Sequence, residues 1–496
     1  MEKEVSDVSK EVHTSPHLKS TEKSLFAVSQ STPLATPKEF SWPEPVVDGD
    51  KIELPKVIPI HKRKTASRDS QKQIEEDTSP TWQRLLFFIL LIAATGGVVW
   101  LKKINVDYFW YEPFTNTYSL LVVGFIFSRF LFSFLDLRRL TPLPLPSELP
   151  AVSIVIPAKN EEKAIYRTIE NAFQADYPKN KLQVIAVNDG SSDGTLKEMI
   201  RAKNNFQDLR IINFTVNRGK RHCMAAAAQT AIGDIITFVD SDSFIRRDAI
   251  KKIIRPFMNR KVAAATGRTD VENWNHNFLT KMQAFRYYIA FKLIKAAESL
   301  FGSVTCCPGC FSAYRKDALQ TILGLWLRQK FLGTVATFGD DRSLTTYLLR
   351  KNFKIVYVDT ALCTTIVPEG WMHYLKQQAR WKKSWIRETL IASVFMWRKH
   401  PLMAASFYVA AIFPFVTPIV TFNNVIYNPI FKDQFPLFYA AGLLLMCSVF
   451  ALYYRFKRND GLWFHGFVYS VFYVLFLVWQ MPYAILTLRK NEWGTR

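Results

Sequence analysis

Acidic residues gather at three points where short apolar runs end. "VSIVIP" (152–157) leads into "PAKNEE" (157–162), "LQVIAV" (182–187) into "VNDGSSDG" (187–194), and "DIITFV" (234–239) into "VDSDS" (239–243). A further acidic pair stands in "GDDR" (339–342). Carboxylates at strand tips repel a bare phosphate. They suit a divalent cation that bridges them to a nucleotide diphosphate, because Mg²⁺ takes one or two carboxylates plus substrate phosphates. Asp240-Ser241-Asp242 has the spacing for that job, since alternate residues of a strand project the same way. A lone D-x-D is common in solvated turns; three acidic strand ends in order make a much stronger signal. "GDDR" admits two readings. One is a helix N-terminus, where aspartate is favourable anyway. The other is a general base within hydrogen-bond reach of the proton it removes. No G-x-G-x-x-G and no P-loop follows any of these runs.

The elements that must hold these residues have an α/β rhythm. The three runs are nearly continuous in apolar residues, with helical stretches near 161–173 and 193–203. Buried parallel strands joined by crossover helices look like this. Ligands of open parallel sheets sit at the carboxyl ends of the strands, where the aspartates are.

The flanks are of another kind. The chain has 496 residues, is 49% hydrophobic with 39 phenylalanines, and carries a net charge of +22. That balance favours a membrane protein with anionic partners. Its cations are scattered and no zinc-finger or ribonucleoprotein motif occurs, so nucleic acid is not expected as a partner. Residues 1–80 are rich in Ser, Thr, Pro, Lys and Glu and read as a disordered tail. With no early apolar run, no cleavable signal peptide is expected. "LLFFILLIAATGGVVWL" (85–101) and "YSLLVVGFIFSRFLFSFL" (118–135) are each long enough to span a bilayer. They form an expected hairpin over 84–136. Arg138 and Arg139 follow it, then the proline-rich "LTPLPLPSELP" (140–150). The basic side of the hairpin should be cytoplasmic, together with the tail and the α/β domain at 151–370. Amphipathic interfacial helices are expected over 371–398 and two spanning helices over 401–454. Residues 462–488, interrupted by Pro482, read as interfacial or re-entrant. The six cysteines, including Cys307-Pro-Gly-Cys310, lack the second pair or histidines of a zinc site and are expected to be reduced.

"NDGS", "DSD", "GDDR", "QQARW" and "WGTR" (493–496), in that order, resemble the motifs of processive, membrane-integrated family 2 glycosyltransferases. The resemblance implies a GT-A fold: an α/β, Rossmann-like, mostly parallel sheet forming a cytoplasmic domain within an α-helical multi-pass protein of the plasma or inner membrane. "NRGKR" (217–221), "FGDDRSLT" (338–345) and "QQARWKKSWIRE" (377–388) most resemble hyaluronan synthases. The loop "GSVTCCPGCFSAYR" (302–315) instead resembles fungal chitin synthases. Those enzymes, like nodulation chitooligosaccharide synthases, usually show Gly-Glu-Asp-Arg where this chain has "GDDR". Two product readings stay open: hyaluronan from UDP-GlcNAc and UDP-glucuronic acid, and a polymer of GlcNAc from UDP-GlcNAc alone. A non-catalytic nucleotide-sugar sensor is a third reading.

Roles follow from the resemblance alone. Asp341 would be the base. Asp242, with Asp240, would hold Mg²⁺ or Mn²⁺. Asn160, Glu161, Asp189, Lys220, Arg221, Asp240 and Arg380 would face the donor, and Trp493, Thr495 and Arg496 would gate it within a tail at 489–496. Cys307, Gly309, Asp340, Arg342, Gln377, Gln378 and Trp381 would border the acceptor and growing polysaccharide. Lys382, Lys383 and Trp385 would anchor the protein to lipid.

Overall fold

A computed structural model describes residues 81–104, 113–136, 143–458 and 460–490. The tail at 1–80, Arg138 and Arg139, and Trp493, Thr495 and Arg496 lie outside the described residues. Two long helices come first, α1 (Thr81–Ile104) and α2 (Pro113–Leu135). The α/β domain begins with β1 (Val152–Ala158), α3 (Ile165–Phe173), β2 (Leu182–Asp189), α4 (Thr195–Asn205), β3 (Leu209–Phe214), α5 (Lys220–Thr230), β4 (Ile235–Phe238) and β5 (Ser243–Ile245). It continues with α6 (Ala249–Ile253), β6 (Val262–Val271), α7 (Phe278–Ile289), α8 (Ala296–Leu300), β7 (Ser312–Arg315), α9 (Lys316–Leu327), a small hairpin of β8 (Lys330–Phe331) and β9 (Thr334–Val335), α10 (Asp340–Arg350) and β10 (Lys354–Thr365).

Eight strands form one sheet in the order β3-β2-β1-β4-β7-β6-β10-β5. β3, β2, β1 and β4 run parallel; the apolar runs predict this for β1, β2 and β4, whereas β3 is not expected from the sequence. β7 enters antiparallel between β4 and β6, and β5 pairs antiparallel with β10. The chain leaves β1 first towards β2 and later towards β4. That reversal opens a crevice at the strands' carboxyl ends.

Alternation along each strand divides the core. Val155, Ile185, Val187, Ile236 and Phe238 face α5, α9 and α10, packing on Met224, Leu319 and Leu344. Ile154, Ile156, Val184, Ala186 and Ile235 face the other way, onto Ile165, Ile169, Met199 and Ile250. A strand covered on both faces needs apolar residues at every position, which explains runs without polar interruption.

The expected interfacial helices at 371–398 are one continuous helix, α11 (Trp371–Met396). After it come α12 (Pro401–Phe422), α13 (Asn428–Phe431), α14 (Leu437–Lys457), α15 (Trp463–Leu475) and α16 (Gln480–Leu486). By length and composition α2, the stretch Pro401–Phe431 and α14 can each cross a membrane. The shorter apolar part of α1 runs from Leu85 to Gly97, and the segment 463–486 is bent by 42°. An aromatic cluster ties the α/β domain to these helices: Phe285 and Tyr288 of α7 and Tyr374 of α11 pack with Phe87, Phe130, Tyr453, Tyr454 and Tyr469. A side chain at Gly466 would overlap the Phe285 ring, so glycine lets α15 lie directly on α7.

Candidate active site

The crevice places Lys220, Asp240 and Asp341 around Gly309. Lys220 leads α5; its Nζ lies 2.5 Å from Asp240 Oδ1 and 3.8 Å from Asp341 Oδ1. A Cβ on Gly309 would lie 2.6 Å from Lys220 Nζ, 2.7 Å from Asp240 Oδ1 and 2.9 Å from Asp341 Oδ1. The loop before β7 can pass between these charges only as bare backbone. In return, the Gly309 amide donates to the Asp341 carboxylate. Each of the three side chains keeps about a quarter of its surface open, at 20%, 26% and 27% for Lys220, Asp240 and Asp341.

The electrostatics of the trio are lopsided. Burial pushes the Asp341 carboxyl up, Lys220 pulls it back, Asp240 and Asp340 push it up again, and it settles at about 6. Burial lowers Lys220, but Asp240 and Asp341 outweigh that and hold the ammonium protonated far into the alkaline range. A carboxylate titrating close to neutral pH is well matched to proton abstraction.

Asp240-Ser241-Asp242 does not lie along a strand, contrary to the projection expected from its spacing. It forms the turn between β4 and β5. The turn still brings both carboxylates to the crevice, with Asp240 against Lys220 and Asp242 beneath the hydroxyl of Thr365, 3.4 Å away. Among the described residues no cluster of three acidic, histidine or cysteine side chains converges as a complete metal cage. Two neighbouring carboxylates fit a cation that takes its remaining ligands from a diphosphate and water.

Other expected site residues serve the frame. Asp189 is buried and accepts from the backbone amides of Arg218 (2.7 Å) and Gly219 (3.0 Å). It thereby fixes the loop that delivers Lys220. Asn160 adopts φ 56° and accepts from the Ser192 amide, while the Glu161 amide donates to Thr195, joining the β1 tip to the loop after β2. Arg221 and Asp340 do not face the crevice. They are 4% and 2% exposed and pair with each other at 2.8 Å behind it, with Arg221 also donating to the Trp326 carbonyl. Cys307 is buried, its amide donating to Thr345 on α10 and its thiol raised by burial to about 12. All six cysteines are free thiols.

The start of α10 docks on α11. Gly339, at φ 76°, has no room for a side chain because Ser384 occupies the space, and Arg387 donates to the Phe338 carbonyl. This contact sets Asp341 relative to "QQARW". On α11 Gln378 is buried, with Nε2 unpartnered among the described residues, whereas Gln377, Arg380 and Trp381, and Arg342 on α10, are half-buried.

Motif reasoning passed over Arg286 and Tyr287. The Arg286 guanidinium lies 4.9 Å from the centre of the Trp381 ring. The neighbouring Tyr287 phenol is raised by burial first, then feels Cys310, Arg286, Asp242 and Asp240. A signal existed: one cation in the aromatic run "AFRYYIAF" (284–291).

The mixed sheet, with its acidic turn at the carboxyl edge, is that of the GT-A fold. Residues 150–384 match the family described as glycosyltransferase like family 2. A hyaluronan synthase of Streptococcus pyogenes is 31% identical over 352 residues, 70% of this chain and 83% of that protein. An N-acetylglucosaminyltransferase of Rhizobium meliloti is 32% identical over 355 residues, 70% of this chain and 82% of its own. A mannosyltransferase of Pyrobaculum calidifontis, solved with GDP-Man and Mn²⁺, shares the fold at TM-score 0.51 and 20% identity, covering 73% of this chain and 98% of its own. The chain belongs to the family 2 glycosyltransferases and is an enzyme of that family.

Proposed function

We propose that this glycosyltransferase is a processive, inverting hyaluronan synthase. It joins sugars from UDP-GlcNAc and UDP-glucuronic acid at the cytoplasmic face and passes the polymer out between its membrane helices. The observation that carries the chemistry is the convergence of Asp341, Lys220 and Asp240 on the Gly309 backbone. Asp341 takes the proton from the acceptor hydroxyl, which attacks the anomeric carbon from the face opposite UDP and inverts it. Lys220 stays protonated beside the departing diphosphate. Arg380 adds a second cation, as oriented charges do for leaving phosphates. Asp240 and Asp242 would hold Mg²⁺ or Mn²⁺, which when bound supplies Lewis-acid stabilisation of the diphosphate. Trp381 offers the acceptor sugar a flat apolar face, and Gln377 and Gln378 can bond its hydroxyls. The resemblance of "WGTR" assigns Trp493, Thr495 and Arg496, which lie outside the described residues, to the donor.

The donor pair rests on "FGDDRSLT" and "QQARWKKSWIRE". A second reading, a polymer of GlcNAc alone, is favoured by the loop at 302–315 and by the similarity to an N-acetylglucosaminyltransferase. Purified protein in vesicles with Mg²⁺ or Mn²⁺ separates them. Polymer that needs both donors and is removed by hyaluronan lyase is the expected result. A chitinase-sensitive product from UDP-GlcNAc alone would overturn the donor assignment.

A further inference from the structure

Arg286 is a cation in an unusual setting. It sits in the last turn of α7, half-buried, with its guanidinium over Trp381. Among the described residues no carboxylate forms an ion pair with it. The groups that face it are phenols: Tyr469 and Tyr473 of α15, Tyr374 of α11 and its own neighbour Tyr287. A second cation is close by. Lys382 follows Trp381 on α11, lies over the Tyr473 ring at 5.6 Å and donates to the Leu477 carbonyl and to Gln480. Burial and then Arg286 push the Lys382 ammonium down to about 8. Two like charges thus share an aromatic recess at the Trp381 end of the site without an acid between them.

That arrangement costs stability unless an anion completes it, because a desolvated cation needs a partner. A neutral sugar does not call for one, since tyrosine and glutamine hydroxyl and amide groups already match its hydroxyls. A planar guanidinium presents paired N–H groups that fit a carboxylate in two-point contact. Trp381 beside it offers the apolar face on which a sugar ring lies flat.

We propose that Arg286 is a specificity residue which reads the carboxylate of an acidic sugar at the acceptor end of the growing chain. Lys382, close to Arg286, adds to the positive field. The proposal rests on the hyaluronan reading above and deepens it: the same recess would hold a neutral polymer poorly.

The test compares two ligands that differ only in the carboxylate. A hyaluronan tetrasaccharide and its carboxyl-reduced counterpart are titrated against the full-length protein in nanodiscs, and both are tried as inhibitors of UDP release. Wild type should prefer the acidic tetrasaccharide by about tenfold, the size expected of a charge-assisted hydrogen-bonded contact. Arg286→Gln should reduce that preference to about twofold or less, and Arg286→Lys should keep an intermediate share. Equal binding of the two tetrasaccharides by wild type would overturn the proposal without any variant. An undiminished preference in Arg286→Gln would overturn it too. Nanodiscs of phosphatidylcholine and of phosphatidylglycerol separate a sugar from a lipid ligand. A preference that vanishes in phosphatidylglycerol would assign the recess to a lipid phosphate instead. The donor reading fails on a different result, polymer made from UDP-GlcNAc alone. A requirement for both donors with no effect of the carboxylate defeats the Arg286 assignment only.

Discussion

The two ends of the site handle charge in opposite ways. In the donor crevice cations meet acids: Lys220 lies between Asp240 and Asp341, and Arg221 is locked to Asp340 behind them. At the Trp381 end Arg286 and Lys382 face phenols, the Trp381 ring and a backbone carbonyl. A balanced, rigid set of charges is what a fixed chemical step needs, because charge developing on the leaving group meets dipoles already in place. An unbalanced, aromatic recess suits a ligand that brings its own charge and moves on after each cycle.

The contrast can be broken at several points. Arg221→Met removes one member of a pair that is almost wholly buried and leaves Asp340 without its cation. It should cost about 3–5 kcal/mol of stability, read from thermal unfolding of the purified protein. Gly309→Ala forces a methyl group among Lys220, Asp240 and Asp341. With the fold intact, kcat should drop about 10²-fold, the penalty for displacing reacting groups by an ångström. At the other end Trp381→Ala removes the proposed sugar platform and the Arg286 ring contact. Polymer synthesis should weaken about tenfold, near 1.4 kcal/mol, with most of the loss in acceptor affinity and little in UDP-GlcNAc affinity. The remaining point is a pH profile. Asp341 is raised to about 6 and must be ionised to accept a proton, so activity rises with pH through that value. kcat/KM should be half-maximal near pH 6 and fall about tenfold for each further unit of acid. A profile flat down to pH 5 would separate Asp341 from the proton transfer.

Some of this was legible in the sequence for definite reasons. The parallel half of the sheet shows itself because strands buried on both faces leave unbroken apolar runs, as in β1, β2 and β4. β7 gives no such run: "SAYR" is short, and antiparallel insertion is a matter of tertiary pairing. The acidic turn was found, but with the wrong geometry, since Asp240 and Asp242 are set by the β4–β5 turn and not by strand alternation. Arg221 and Asp340 stand next to residues of the trio in sequence, and adjacency hid that they point away from it. α5 and α10 present consecutive residues to different neighbours, so Lys220 and Asp341 reach the crevice while Arg221 and Asp340 meet behind it. Arg286 belongs to none of the sequence motifs, and only the packing of α7 against α11 reveals its place beside Trp381.

The most direct test of the account compares wild type with Asp341→Asn, measuring UDP release and, separately, UDP-GlcNAc binding by calorimetry. UDP release should fall about 10²–10⁴-fold with donor binding retained, since the substitution removes the base and keeps the shape of the crevice. UDP release at the wild-type rate would show that Asp341 is not the base and would remove the centre of the proposed mechanism.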